Sequence, residues 1–148
     1  MFNTFLLDLI AHLVNIEFET IRAALKSADL PSTDLVVGIG SGGIVLSAMA
    51  AYKLNTPLSI LWLNYRGPNN QPVHSQPELS QSFSLPLGIK KILLVDDVVV
   101  SGKTMETAKA ILRSTEITTL CLKGKADIVL FPEISSCVQW PWNPISSQ

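Results

Sequence analysis

The chain has 148 residues, of which 47% are hydrophobic and 16% charged, with a net charge of −1. That length suits one domain around one core. The absence of a basic excess argues against a nucleic-acid partner, while so low a charge content leaves a weakly polar surface that suggests a homodimer. Phe2, Phe5, Leu6, Leu9, Ile10 and Leu13 recur at helical spacing, and a second short helix is expected from Ile16 to Ala28 with Phe18, Ile21 and Leu25 on one face. These N-terminal helices fill residues 1–30, closed by Pro31. The N-terminus has no positive leader region and no small-residue cleavage site. No apolar run is long enough to span a membrane.

From Asp34 the pattern alternates. Asp34–Ile39 reads as a buried strand, Gly40-Ser41-Gly42-Gly43 as a turn, and Ile44–Leu54 as a helix stopped at Asn55. Leu58–Leu63 is a second strand. The stretch 64–88 is proline-rich and aperiodic, far longer than the usual connection of about 4–6 residues, so it is expected to be a functional lid. Its start, Tyr65-Arg66, offers a ring and a fixed positive charge. Lys90–Val95 is a third strand, Ser101–Arg113 a helix with Ser101 as N-cap, and Ile117–Leu122 and Asp127–Phe131 are further strands. The tail 123–148 carries Trp140-Pro141-Trp142 and no helical pattern.

This alternation predicts an α/β fold with a mainly parallel sheet flanked by helices. Ligands of such sheets bind at the carboxyl ends of strands, here after Ile39, Leu63, Val95 and Leu122. Cys121 and Cys137 share no metal-ligand spacing, so a disulfide framework is not indicated and a reducing compartment is the default; the chain is read as soluble and cytoplasmic. His12 and His74, on a helix face and in a loop, have no visible acid/base partner.

The most specific stretch is Lys91–Thr104, KILLVDDVVVSGKT. A buried strand delivers Asp96 and Asp97 to its carboxyl end, and Ser101-Gly102-Lys103-Thr104 opens a helix. The N–H groups of that first turn, with the Ser101 and Thr104 hydroxyls, form an anion site. A ligand with hydroxyls at one end and a phosphomonoester at the other satisfies both, as ribose 5-phosphate does. A Walker A loop is excluded because Asp97 stands where its first glycine is required. Gly38-x-Gly40-x-x-Gly43 matches a dinucleotide fingerprint, but no acidic residue lies between Leu35 and Pro77 to hold a ribose.

ILLVDDVVVSGKT resembles the phosphoribosyl-diphosphate (PRPP) signature of type I phosphoribosyltransferases. Gly40, Ser41, Gly42 and Gly43 are placed like that family's pyrophosphate loop, and 64–88, with Tyr65 and Arg66, like its flexible loop. Lys123 and the segment Cys137–Trp142 are similar to the base-binding parts of the short xanthine/guanine/hypoxanthine enzymes. The resemblance implies a type I fold with a small C-terminal hood over 123–148. It also implies transfer of phosphoribose from PRPP to a purine-like base, with Mg²⁺ held at Asp96 and Asp97, directly or through water. Val98, Val99, Val100, Ser101, Gly102, Lys103 and Thr104 would hold the phosphate, and Lys123, Val138 and Trp140 the base. Three positions depart from the family pattern: Ser41 stands where Arg or Lys is frequent, Val100 where a proton-handling Asp is usual, and Cys137 where an aromatic ring stacks on the base. The alternative is a relative that binds PRPP or nucleotide in a regulatory role. The tail tryptophans then have two readings, base stacking or cover for the sheet edge or a dimer seam.

Overall fold

A computed structural model describes residues 13–64 and 76–143. The helix expected over the first residues and the Tyr65-Arg66 pair lie outside the described residues. In chain order the elements are β1 (Val14–Asn15), α1 (Phe18–Ser27), β2 (Leu35–Gly40), α2 (Ile44–Leu54), β3 (Leu58–Asn64), β4 (Glu78–Leu79) and β5 (Lys91–Val95). There follow β6 (Val98–Val99), α3 (Lys103–Ile111), β7 (Glu116–Cys121), β8 (Lys123–Gly124), β9 (Ile128–Val129) and β10 (Val138–Gln139).

The main sheet has the order β4-β3-β2-β5-β7-β9. Only the β3–β4 pairing is antiparallel. All six residues of β2 are buried, as befits a central parallel strand covered on both faces. Alternate side chains go to opposite sides. Val36, Leu93 and Val95 meet Ile21 and Leu25 of α1, Leu46 and Ala50 of α2, and Trp140. Leu35, Val37, Ile39, Ile92 and Leu94 meet Met105, Ala108 and Leu112, at and just beyond α3. The sheet is thus sandwiched between α1 and α2 on one face and α3 on the other. The chain moves from β2 outward to β3, then returns to β5 on the other side of β2. That reversal opens a crevice at the carboxyl ends of β2 and β5.

Local chemistry explains the element ends. Asn55 closes α2 in the left-handed region at φ 50°, a role its short polar side chain tolerates. Lys53 closes α1 from a distance, its ammonium donating to the carbonyls of Leu25 (2.7 Å), Lys26 (3.1 Å) and Ala28 (2.6 Å). The expected N-cap role of Ser101 is corrected: Gly102, at φ 84°, occupies that position, and no side chain caps the helix. Ser101 Oγ only accepts a long 3.4 Å bond from the Lys103 amide. A left-handed residue there turns the chain more sharply than a serine cap would.

Several elements differ from the sequence reading, β1, β6 and β8 among them. β4 lies inside the stretch expected to be aperiodic; with two residues paired through backbone groups, it has no side-chain period to detect. The strand expected at 127–131 shrinks to Ile128–Val129. The tail contributes β10, which pairs in parallel with β1 (Val14↔Val138, Asn15↔Gln139). This two-stranded hood stands over the crevice.

Candidate functional site

Asp96 and Asp97 follow the buried strand β5 at the centre of the sheet. Their backbone is pinned to β7: the Asp96 amide donates to Leu120 O (3.1 Å), and Leu122 donates to Asp97 O (2.8 Å). Each carboxylate also accepts the next amide, Asp97 N to Asp96 Oδ1 at 2.8 Å and Val98 N to Asp97 Oδ1 at 2.7 Å. These bonds hold the acids together at the crevice. Burial, and after it the charge of Asp97, push the Asp96 carboxyl well above the usual carboxylate range. The Asp97 amide pulls the other way. Beneath them, burial first and then the two acid charges raise the Cys121 thiol to about 12. Cys121 is therefore an inert core residue.

The glycine turn after β2 packs directly on this pair. Its Gly43 amide donates to Ile39 O (2.8 Å), and the Gly40–Ser41 peptide is cis. A Cβ on Gly42 would lie 2.7 Å from Asp97 Oδ1, and one on Gly43 would lie 2.5 Å from Val95 O. On the other side, β6 pairs in parallel with β8 (Val98↔Lys123, Val99↔Gly124). Gly124 has φ 115°, and a Cβ there would meet Val99 O at 2.0 Å. The turn Val98–Thr104 is thereby pressed between the acid pair and α3. The first four N–H groups of a helix have no partner within it, and the start of α3 opens on this turn.

These parts enclose a cleft of about 820 Å³. It brings together Gly40, Ser41, Gly42, the acid pair, the turn Val98–Gly102 with Thr104, Lys123, Val138 and Trp140. Of the residues expected at the site, Gly43 and Lys103 fall outside the cleft wall; Gly43 packs against backbone. Val100 is 69% exposed at the cleft. Trp140 is only 3% exposed. Its ring stacks on Trp142 (5.9 Å, 9° between planes) and leans on Phe131, and Trp142 in turn meets Phe18 of α1. Trp140 is thus chiefly a core residue that also borders the cleft. Leu63, Met105, Cys137 and Asn143 also line the wall. For Leu63, the strand-end rule was the available signal; Met105 and Asn143 carry none.

Among the described residues, Lys123 is the one cationic side chain of the wall. It donates to the carbonyls of Ser136 and, at 3.4 Å, Ser135. Among the described residues, no cluster of three or more His, Cys, Asp or Glu side chains could hold a metal. No helix among them is long and apolar enough to cross a membrane.

A parallel sheet with a strand-end acid pair over a helix-opening turn defines a phosphoribosyltransferase-type α/β protein. The family model for the phosphoribosyl transferase domain matches residues 7–131, and the chain belongs to that family. It is 32% identical over 92 residues to orotate phosphoribosyltransferase of Saccharolobus solfataricus, covering 62% of this chain and 42% of that protein. It is 33% identical over 113 residues to the transcriptional regulator GfcR of Methanococcoides burtonii, covering 72% and 53%. The chain thus spans about half the length of the curated relatives it matches. The solved purine phosphoribosyltransferase of Pyrococcus horikoshii superposes with a TM-score of 0.73 at 19% identity, covering 93% of this chain and 98% of that one; it shares the fold.

Proposed function

We propose that the chain transfers phosphoribose from PRPP to a purine-like base, forming a nucleoside monophosphate and pyrophosphate. The observation that carries this is the juxtaposition of Asp96-Asp97 with the turn Val98–Thr104 inside one cleft. The turn and the α3 start would receive the 5-phosphate on backbone N–H groups, and the carboxylates would accept the ribose hydroxyls. The Gly40–Gly43 turn, bare of side chains beyond Ser41, would let pyrophosphate approach backbone N–H groups closely. The bond from the anomeric carbon to pyrophosphate breaks with its electron pair leaving on oxygen, and a base nitrogen forms the new bond while losing its proton to solvent. Orientation and fixed electrostatics supply most of the acceleration, because the anomeric carbon becomes cation-like.

The donor set suits Mg²⁺. Asp96 and Asp97 are adjacent, and the charge of Asp97 is, after burial, a cause that raises the Asp96 carboxyl; a divalent cation would relieve that repulsion. Two acids would supply part of the oxygen shell that such an ion needs. Asp96 and Asp97 would hold it; when bound, it stabilises the departing pyrophosphate charge.

Base-dependent release of pyrophosphate from PRPP and Mg²⁺ tests the reading, with xanthine, guanine, hypoxanthine, adenine, uracil and orotate each supplied. Release with an oxopurine is the expected result. A regulatory reading is favoured by one observation: Val100, 69% exposed in the turn that lines the cleft, exchanges no proton. Calorimetric binding of PRPP without release on any base would select that reading. Binding of neither PRPP nor a nucleoside monophosphate would discard both. The homodimer belongs to the same proposal and is read by light scattering.

A further inference from the structure

We infer that Lys123 is a positioning residue, a latch that fastens the hood to the phosphoribose wall and so sets the base end of the cleft. Its backbone belongs to one wall. The Lys123 amide donates to Asp97 O at 3.3 Å, and β8 pairs with β6 at Val98↔Lys123. Its side chain belongs to the other wall, where the ammonium donates to the carbonyls of Ser135 and Ser136. An ammonium has three N–H donors and no acceptor, so two of the three are committed to the hood backbone. Bonds from a charged donor are stronger than neutral ones.

The two residues after Ser136, Cys137 and Val138, form the hood side of the cleft. From the outside they are held by β1, with Val14 N donating to Cys137 O at 3.0 Å and Ile16 N to Gln139 O at 3.2 Å. On the inside Val138 packs against the core, and Lys123 ties down the two residues that lead into them. The hood ladder is only two residues long on each strand, and a two-stranded pair is marginal without further support. Removing the latch therefore frees residues 135–139 while the acid pair and the phosphate turn keep their own backbone bonds. The consequence is selective: recognition of the base weakens, whereas recognition of the phosphoribose end does not.

The ligand part of this inference rests on the phosphoribosyl reading, so the experiment has two arms. The first is amide hydrogen exchange of the ligand-free full chain, wild type against Lys123→Met and Lys123→Arg. Met removes the donors; Arg keeps a charged donor able to reach carbonyls. Faster exchange over 135–139 in Lys123→Met, largely restored in Lys123→Arg, is expected. The second arm is calorimetry with guanosine monophosphate and with ribose 5-phosphate. Lys123→Met is expected to lose about 10- to 100-fold in affinity for the nucleotide and about twofold or less for the baseless sugar phosphate. Lys123→Arg recovers most of the nucleotide affinity. Unchanged exchange over 135–139 in Lys123→Met overturns the latch whatever happens to affinity, since a direct contact with the base would then explain any loss. Faster exchange with unchanged nucleotide affinity overturns its role in base recognition. If the wild type binds neither ligand, the phosphoribosyl reading fails, and the exchange arm alone decides the latch. Lys123→Gln serves the same comparison should Lys123→Met not fold.

Discussion

Gly42 lies so close to Asp97 that a Cβ on the glycine would fall 2.7 Å from Oδ1 and 2.8 Å from Oδ2 of the carboxylate. The turn after β2 and the acid after β5 are therefore one packed unit. The carboxylate ends a short side chain and can rotate away by giving up its bond from the Val98 amide. Gly42→Ala is thus expected to cost about 1 kcal/mol of stability, the worth of one such bond, while displacing Asp97, with ligand affinity and turnover falling about 100-fold. A calorimetric titration that matched the wild type would refute the coupling.

Gly43→Ala should behave in the opposite way. Its Cβ would meet the carbonyls Val95 O at 2.5 Å and Ile39 O at 2.9 Å, which belong to two sheet strands and cannot swing aside. Forcing atoms into such a site costs about 1–3 kcal/mol. Urea denaturation should show the loss; an unaltered midpoint would contradict this packing.

Asp96 should lower stability at neutral pH. Its folded-state pKa is raised, so below the ordinary carboxylate range both states are protonated and nothing is lost. As pH rises through the unfolded value, the unfolded chain ionises first and stability falls, until the folded carboxyl also ionises. Asp96→Asn should therefore melt higher than the wild type at pH 7 and converge with it in acid, while losing phosphoribose binding. A variant that melts lower at pH 7 would reverse the sign.

Asp34 supplies the contrary case. Its Oδ2 accepts the amides of Lys91 (2.8 Å) and Lys90 (3.1 Å), and these bonds, Lys91 first, hold its pKa below the ordinary value. The stabilisation is present above that ordinary value and is lost as pH falls through the lowered one. The advantage of the wild type over Asp34→Ala should accordingly shrink on acidification. Parallel melting curves at every pH would show that the bonds do not matter.

Lys53→Met should destabilise without touching the cleft. It removes a charged donor from three carbonyls at the end of α1, a loss of about 1–3 kcal/mol for bonds to a charged group. Ligand affinity should stay at the wild-type value, measured well below the melting temperature.

Much of the fold was legible because its signals are local. The run from Ile92 to Val95 is apolar and ends in two acids, so it reads as a buried strand opening on a polar edge. Asn55 marks the end of α2, since it takes a backbone conformation that few residues tolerate. The acid pair and the phosphate turn were visible for the same reason: they lie within one short stretch. β4 and β10 were hidden because two residues have no period. Ser101 was misjudged as a cap because its hydroxyl is a good capping group in general, while the left-handed glycine after it takes that place here.

The sequence by itself determined the acid pair, the turn after it and the alternation that places both at the end of a parallel sheet. Each follows from neighbours along the chain, through side-chain period, capping and backbone conformation. The tertiary structure alone decided what those parts touch. It set Gly42 against Asp97, joined β10 to β1 from opposite ends of the described chain, buried Trp140 against Trp142, and turned Lys123 toward the carbonyls of Ser135 and Ser136. Those contacts arise from which surfaces meet when the sheet and its hood pack, and no local pattern encodes such a meeting.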